Sequence, residues 1–475
     1  MPDLTENRKW WTLAAVTFGL FMIMLDNTVV NVSLPAMQRS LGLQISELEW
    51  VVAGYALTFG ALMLTGGKLV DLFGRRRAFI TGLLVFTLAS LGCGFASSAG
   101  TLIAWRIVQG LGAALINPAT LSIIAVAFPP RERGRAIGIW VGVSAVALVL
   151  GPPLGGLITE KVYWSWIFFI NVPIGIAAVV AALAFIDESR DTSLQQRADI
   201  FGLLTSGLGL FALTYGLIEA NAHGWGSALT VGSFTLAAVM LVSFIGLERY
   251  QRVPMLDLSL FRDRTFAGSN TVTLLNALAM FGVFFYVSLY MQQVLGYSPF
   301  QAGAAFLPMT LLTVTVAPRA GELADRIGPR LLACGGQLLV AVALVLFARL
   351  RFNSGYGSLL VPMVVSGAGM AMTMTPATAA AMSAVRTDKA GVASAVLNSA
   401  RQVGGSIGIA LTGAVVTSGL SDALARGEAR PVAFVKGMHG GFLLCAAIAL
   451  IGSVVAFVTL REPDRIGRHT GLPTE

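Results

Sequence analysis

Fourteen long apolar runs punctuate this sequence, at residues 11–34, 48–70, 78–97, 101–126, 136–157, 166–186, 201–219, 228–247, 266–291, 300–321, 331–350, 358–383, 391–417 and 438–460. A helix needs roughly 20 predominantly apolar residues to cross a bilayer. Within lipid only helices and closed barrels satisfy their own backbone, and these runs have helical length. The expected fold class is therefore an all-α polytopic membrane protein with 14 transmembrane helices. Composition agrees, since only 12% of the residues are charged against about 25% in soluble domains. The first run is too long for a signal peptide and lacks a small-residue cleavage site, so it counts as a span.

Basic residues set the expected orientation. With the N-terminus inside, cytoplasmic loops and tails carry 22 of the 32 Lys and Arg residues and external loops carry 7. The positive-inside rule then puts both termini in the cytoplasm of a multi-pass cell-membrane protein. The formal charge of +8 lies in these short loops, so no nucleic-acid partner is expected. Cys93, Cys334 and Cys445 each fall within a span and form neither a disulfide framework nor a zinc spacing. No metal and no cofactor are expected. The connections are too short for a nucleotide-binding domain, and no G-x-x-x-x-G-K-[ST], G-x-S-x-G or H-E-x-x-H occurs. Neither an ATP-driven pump nor an enzyme fits. His223 and His439 sit near membrane surfaces and His469 in the tail, which argues against a buried histidine relay.

An internal repeat divides the chain. After the second run comes Gly67-Lys-Leu-Val-Asp71-Leu-Phe-Gly74-Arg75-Arg76, and after the tenth Gly321-Glu-Leu-Ala-Asp325-Arg-Ile-Gly328-Pro-Arg330. Gly, Leu, Asp, Gly and Arg recur at matching offsets, as in transporters built from duplicated units. A six-plus-six duplication would place the second copy after run eight, so two helices are inserted between the halves. The domains expected are a six-helix bundle over 1–186, two inserted helices within 187–264, and a second six-helix bundle over 265–475. In each copy the Asp can cap a helix or accept from a neighbouring arginine such as Arg135. The expected gating set is Asp71, Gly74, Arg75 and Arg135, with Asp325, Gly328 and Arg330 as a weaker second latch.

The first of these loops, Gly67 to Arg77, resembles the signature loop of the major facilitator superfamily. Leu25-Asp26-Asn27-Thr28-Val-Val-Asn31-Val-Ser33-Leu-Pro35 resembles the first-helix motif of its fourteen-span drug:proton antiporters, the EmrB/QacA type. Arg106-Ile-Val-Gln109-Gly110-Leu-Gly112 is similar to that family's fourth-helix arginine motif, and Gly151-Pro152-Pro153-Leu-Gly155-Gly156 to its fifth-helix antiporter motif. The resemblance implies two six-helix bundles plus two linker helices, and export of amphipathic drugs by proton antiport. An importer or metabolite exporter on the same fold is the near alternative, a non-transporting receptor the distant one. The partners expected are a small amphipathic substrate and the lipid bilayer, with the protein working as a monomer.

The residues themselves supply a mechanism. Asp26 lies about eight residues from the outer end of span one and Arg106 about six from that of span four. At 1.5 Å per residue their depths match, so they are expected to meet inside the N-terminal half, directly or through water. Burial raises a carboxyl's proton affinity and a neighbouring arginine lowers it, which suits a proton-coupling pair. Asp26 reads as the only acid well inside a span. The expected substrate cavity comprises Asn31, Gln109, Asn117, Asn276, Tyr286, Met372, Asn398 and Arg401. Gly151, Pro152, Pro153, Gly155 and Gly156 are the expected hinge and seal, because proline removes helix donors and glycine permits close approach. One central acid against Arg106 and Arg401 favours neutral, zwitterionic or monovalent cationic substrates over dications.

Overall fold

The computed structural model describes residues 8–190, 199–251, 254, 256–385 and 390–460, without the side chains of residues 71, 130, 131, 134, 325, 390 and 391. Among the described residues, 14 helices are long and apolar enough to cross a bilayer. In chain order, spans 1 to 7 are Arg8–Leu41, Ile45–Val70, Arg75–Gly94, Ala99–Ala127, Arg135–Lys161, Trp166–Phe185 and Ile200–His223. Spans 8 to 14 are Ala228–Tyr250, Arg264–Gln293, Pro299–Ala324, Pro329–Phe347, Tyr356–Ser383, Val392–Ala425 and Arg430–Thr459. The helices outrun the apolar stretches that announce them. Ser98, Ser227, Asp263 and Ser298 cap the starts of spans 4, 8, 9 and 10, satisfying amides that have no partner within the helix.

The repeat is visible in the packing. Span 1 packs on spans 4, 5 and 6, span 4 on spans 2 and 3, and span 3 on span 6. Eight spans later the pattern recurs: span 9 packs on 12, 13 and 14, span 12 on 10 and 11, and span 11 on 14. Spans 7 and 8 pack on each other, and span 7 also on spans 2 and 13. The sharp turns joining spans 2 to 3 and 10 to 11 both pivot on glycine, at Gly74 with φ 105° and Gly328 with φ 93°. A side chain rarely adopts that region, which explains why glycine stands at this place in both copies.

The two sets of six meet along three lines: span 1 on 9, span 2 on 13, and span 5 on 10. An even number of spans puts both described termini at one end of the molecule, and the opposite end is here called the far end. Hydrogen bonds from span 9 to span 1 begin at Asn31. Ser288 Oγ donates to the Asn31 carbonyl at 2.8 Å, Gln292 Nε2 to that of Val32 at 2.8 Å, and Gln293 Nε2 to Gln38 Oε1 at 2.6 Å. Beside them the Phe300 amide donates to Glu160 at 3.2 Å. Small residues make this approach possible. A β-carbon on Gly155 would fall 2.8 Å from the Val29 backbone, and one on Gly156 would overlap the Pro299 carbonyl. On the other side, a β-carbon on Gly303 would overlap the Pro152 carbonyl.

Towards the termini the sets part beside span 1, while spans 2 and 13 stay joined, Ser399 Oγ donating to the Gly60 carbonyl at 2.6 Å. Span 1 carries an open stripe at helical spacing, with Phe18 at 50% exposure and Phe21, Met24, Thr28 and Asn31 half-buried. Spans 4, 5 and 6 cover its other faces, so this stripe borders a cleft that widens towards the termini. The protein is thus closed at the far end and open at the other.

Backbone carbonyls cannot move aside as a flexible side chain would. Gly156→Val and Gly303→Val should each hold the far end apart. A cysteine placed at Gln292 should then react at least five-fold faster with a bulky impermeant maleimide. Unchanged reactivity would show that this contact is not a seal.

Candidate functional site

Five of the first six spans converge on one buried carboxylate. Asp26 is 0% exposed and Arg106 1%, and Arg106 Nη1 donates to Asp26 Oδ2 at 2.5 Å. The other carboxylate oxygen accepts from Gln109 Nε2 at 2.9 Å and Asn171 Nδ2 at 3.2 Å. Arg106 is itself held: its Nε donates to the Val51 carbonyl at 3.0 Å, its Nη1 to Gln109 Oε1 at 2.7 Å, and its guanidinium lies 4.2 Å from the Tyr55 ring centroid. Ser90 Oγ accepts from Asn171 at 2.9 Å and donates to the Phe168 carbonyl at 3.0 Å.

The arrangement follows from helix geometry. Arg106 and Gln109 are three residues apart on span 4 and share a face. Asp26 projects from span 1 away from its open stripe, towards spans 3, 4 and 6. The expected meeting of Asp26 and Arg106 is direct, within a dry polar cluster that the cleft does not reach. Both oxygens of the carboxylate have donors. Two buried polar atoms beside it lack partners, the Tyr55 hydroxyl and Asn171 Oδ1. The second set of six has no fully buried charged side chain among its described residues. Met280, Met363 and Phe442 fill its core instead.

Several expected site residues have other duties. Gln109 is fully buried on Asp26 rather than facing the cleft. Tyr286 is buried too, and donates to Glu49 across the boundary between the sets. Asn117 and Asn276 are buried, at 4% and 1% exposure, while Asn31, Met372, Asn398 and Arg401 are half-buried. Arg401 donates to Asn398 one helical turn earlier. Asp26 is not the only acid deep in the fold: Glu49 is 2% exposed and Glu248 3%. Span 2 begins at Ile45, three residues before its apolar run, and this draws Glu49 inside.

The turn at Gly74 has a partner that sequence reasoning did not supply. The amides of Arg76 and Arg77 donate to Glu188 at 3.3 and 3.2 Å, and that of Arg75 to the Ser189 carbonyl at 3.0 Å. Glu188 occupies the positive end of span 3, where a helix favours an anion. Arg135, expected beside this turn, lies over Trp10 instead, 4.9 Å from its ring centroid. In the second copy Arg330 lies over Phe457 at 3.9 Å. The side chains of Asp71 and Asp325 lie outside the described residues. Asn171, Ser90 and Tyr55 also escaped the sequence reading, which sought acids and bases. A lone asparagine in the apolar run "WIFFINVPIG" was the signal available.

Duplicated bundles enclosing one cleft, with a charged pair buried in one of them, define a membrane transporter. The comparisons agree. Residues 16–409 match the family model of the Major Facilitator Superfamily, and the chain belongs to that superfamily. It is 37% identical to the puromycin resistance protein pur8 of Streptomyces alboniger, over 98% of this chain and 94% of that protein. It is 33% identical to the tetracenomycin C resistance and export protein of Streptomyces glaucescens, over 97% and 93%. Its fold matches an auto-inhibited POT family peptide transporter, with TM-score 0.71 and 16% identity over 97% and 98% of the two chains. A bacterial homologue of the lysosomal transporter Spinster superposes with TM-score 0.69 and 15% identity, over 95% and 97%.

Removing one partner of a buried pair costs roughly 3–5 kcal/mol, because the other charge is stranded. Arg106→Ala should therefore melt well below the parent in detergent. Adding Asp26→Asn to that variant should recover most of the loss, because Asn needs no counter-charge. A double variant no more stable than the single one would contradict the pairing.

Proposed function

We propose that this protein is a proton-coupled antiporter that exports amphipathic drugs or antibiotics across the cell membrane, with both termini in the cytoplasm. The observation that carries the reading is the Asp26–Arg106 pair, buried in one bundle only. Intramembrane ionisable groups are functional by default, and this one sits at a junction of spans 1, 2, 3, 4 and 6. When Asp26 takes a proton, Arg106 loses its counter-charge and the five-helix contact must readjust. That readjustment would be felt on span 1, whose opposite face borders the cleft. The relatives named above as resistance and export proteins support the direction and the substrate class.

The positive-inside bias of the loops supports a cytoplasmic open end, which would turn the cleft towards the compartment from which drugs are collected. Phe18, Phe21 and Met24 offer an adaptable apolar wall, with Asn27 and Asn31 as polar contacts. On this reading Asn398 and Arg401 of span 13 also contribute to the site. Asp26 is already neutralised and turned away, so Arg401 is the nearest uncompensated charge. Neutral or zwitterionic amphiphiles suit such a site best, monovalent cations next and dications least. The ties from the Arg76 and Arg77 amides to Glu188 join the turn after span 2 to the end of span 6. They let that bundle and its cytoplasmic turn rock as one body about the seal formed by Pro152, Gly155 and Gly156.

Asp26→Asn should leave folded protein in the membrane while reducing uphill efflux at least 100-fold, because Asn cannot release a proton. Undiminished uphill efflux would remove Asp26 from the coupling step. Voltage gives a second check, since each charge crossing 100 mV is worth about 2.3 kcal/mol. A one-for-one exchange of a proton for a neutral molecule moves net charge; exchange for a monovalent cation does not. Clamping the potential at zero with potassium and valinomycin should slow export of neutral substrates and spare monovalent cations. Robust, selective export of dications would contradict the charge argument.

A further inference from the structure

A second buried carboxyl, at the closed end, takes no part in the site above. Glu49 lies one turn into span 2 and is 2% exposed. Its Oε1 accepts a hydrogen bond from the Tyr286 hydroxyl of span 9. Span 13 presses against it so closely that a β-carbon on Gly413 would overlap Oε1. Glu49 therefore touches two spans of the second set at the line where the sets close. It also borders a vestibule of about 1300 Å3 at the far end, whose wall includes Gln38, Asn221, Gln292 and Thr417.

The charged surroundings do not neutralise it. On span 7 the nearest ionisable group is another acid, Glu219, which accepts from Trp50 Nε1 at 3.3 Å and pairs with His223 at 3.7 Å. Arg39, at the end of span 1, and Arg430, at the start of span 14, line the same vestibule, and neither pairs with Glu49. Spans 9 and 13 offer Tyr286, Gly413 and Thr417, with no cation among them. An ionised carboxylate buried without a counter-charge is strongly disfavoured. A neutral carboxylic acid hydrogen-bonded to Tyr286 is not. Closing the far end over Glu49 thus requires a proton on it, and an ionised Glu49 gains its hydration only if the sets part.

We propose that Glu49 is a second proton-binding site, loaded from the far side, that governs the far gate. A proton from vestibule water binds a Glu49 carboxylate oxygen and allows spans 2, 9 and 13 to close. Its return to that water charges the carboxyl and drives them apart. The site rests on the alternating-access reading above. It adds a requirement to it, that the transporter returns to its cytoplasm-open state only after protonation from outside. External acid then both supplies the coupling proton and speeds the return.

The test reads the gate and needs neither drug nor flux. A single cysteine replaces Gln292 on a background with the three native cysteines changed to alanine, and an impermeant maleimide is added from the far side. With Glu49 present, labelling, expressed at each pH relative to the same cysteine in the unfolded protein so that thiolate formation cancels, should rise at least five-fold between pH 6 and pH 9. Glu49→Gln, a permanent mimic of the protonated acid, should stay at the low rate throughout. Glu49→Asp keeps a titratable group and should keep a pH response. Asp26→Asn should still show a rise in labelling with pH, whatever its baseline rate, which separates this gate from the coupling site. A pH-independent parent, a Glu49→Gln variant that tracks the parent, or a folded Glu49→Asp variant with no response would each overturn the proposal. Loss of drug efflux in Asp26→Asn with the labelling response intact would bear only on the coupling site.

Discussion

A single charge placed where lipid and protein both resist it organises the first half of this molecule. Asp26 is tolerable in the fold only because Arg106, Gln109 and Asn171 all donate to it, and Arg106 only because Val51 and Tyr55 hold its other faces. Those partners come from spans 2, 4 and 6, and Ser90 of span 3 bridges two of them. The first bundle is thereby committed to one arrangement for as long as the carboxylate is ionised. Its counterpart, with Met280 and Met363 at its core, carries no such commitment. The pseudo-symmetric halves are chemically unequal, and on the proposed reading that inequality is what lets one of them respond to a proton.

The remaining architecture converts a local change into a change of access. Glycines at 155, 156 and 303 bring backbones together at the far end, where side chains would hold them apart. Packed backbone contacts are either made or broken, and deform little in between. Because span 1 carries Asp26 on one face and Phe21, Met24 and Asn31 on another, movement at the pair is transmitted to the cleft by a rigid helix. Glu49 and Tyr286 place a second ionisable contact on the seal itself. Two carboxyls at different depths, one within its bundle and one bordering the far vestibule, would on the proposed cycle give its two ends separate proton dependences.

Much of this was legible in the sequence, and the reasons are physical. Hydrophobic length identified all fourteen spans, because lipid leaves the backbone no alternative. The repeated Gly, Asp and Arg revealed the duplication, and the left-handed turns at Gly74 and Gly328 explain why that signal survives. Matched depths brought Asp26 to Arg106. Contacts that depend on helix rotation were not legible. Gln109 and Tyr286 look like cavity residues in one dimension, yet each is turned towards a buried carboxyl. Glu49 stands at the edge of the apolar run 48–70, and four residues of helix before it carry it inside. The partner of the Gly74 turn proved to be Glu188, beyond span 6, because a helix N-terminus attracts whichever carboxylate the fold brings near.

The central claim is that the Asp26–Arg106 pair is exchangeable, ionised in the state described here and protonated elsewhere in the cycle. Infrared difference spectroscopy of the purified protein in lipid, between neutral and acidic pH, tests this most directly. A protonated carboxyl buried out of water has a C=O stretch separable from exposed acids, and deuterium exchange shifts it. The account predicts such a band on acidification that disappears in Asp26→Asn and persists in Glu49→Gln. A transport-competent protein with no Asp26-dependent band at any pH that supports efflux would show that the pair is a fixed structural element, and would contradict the account.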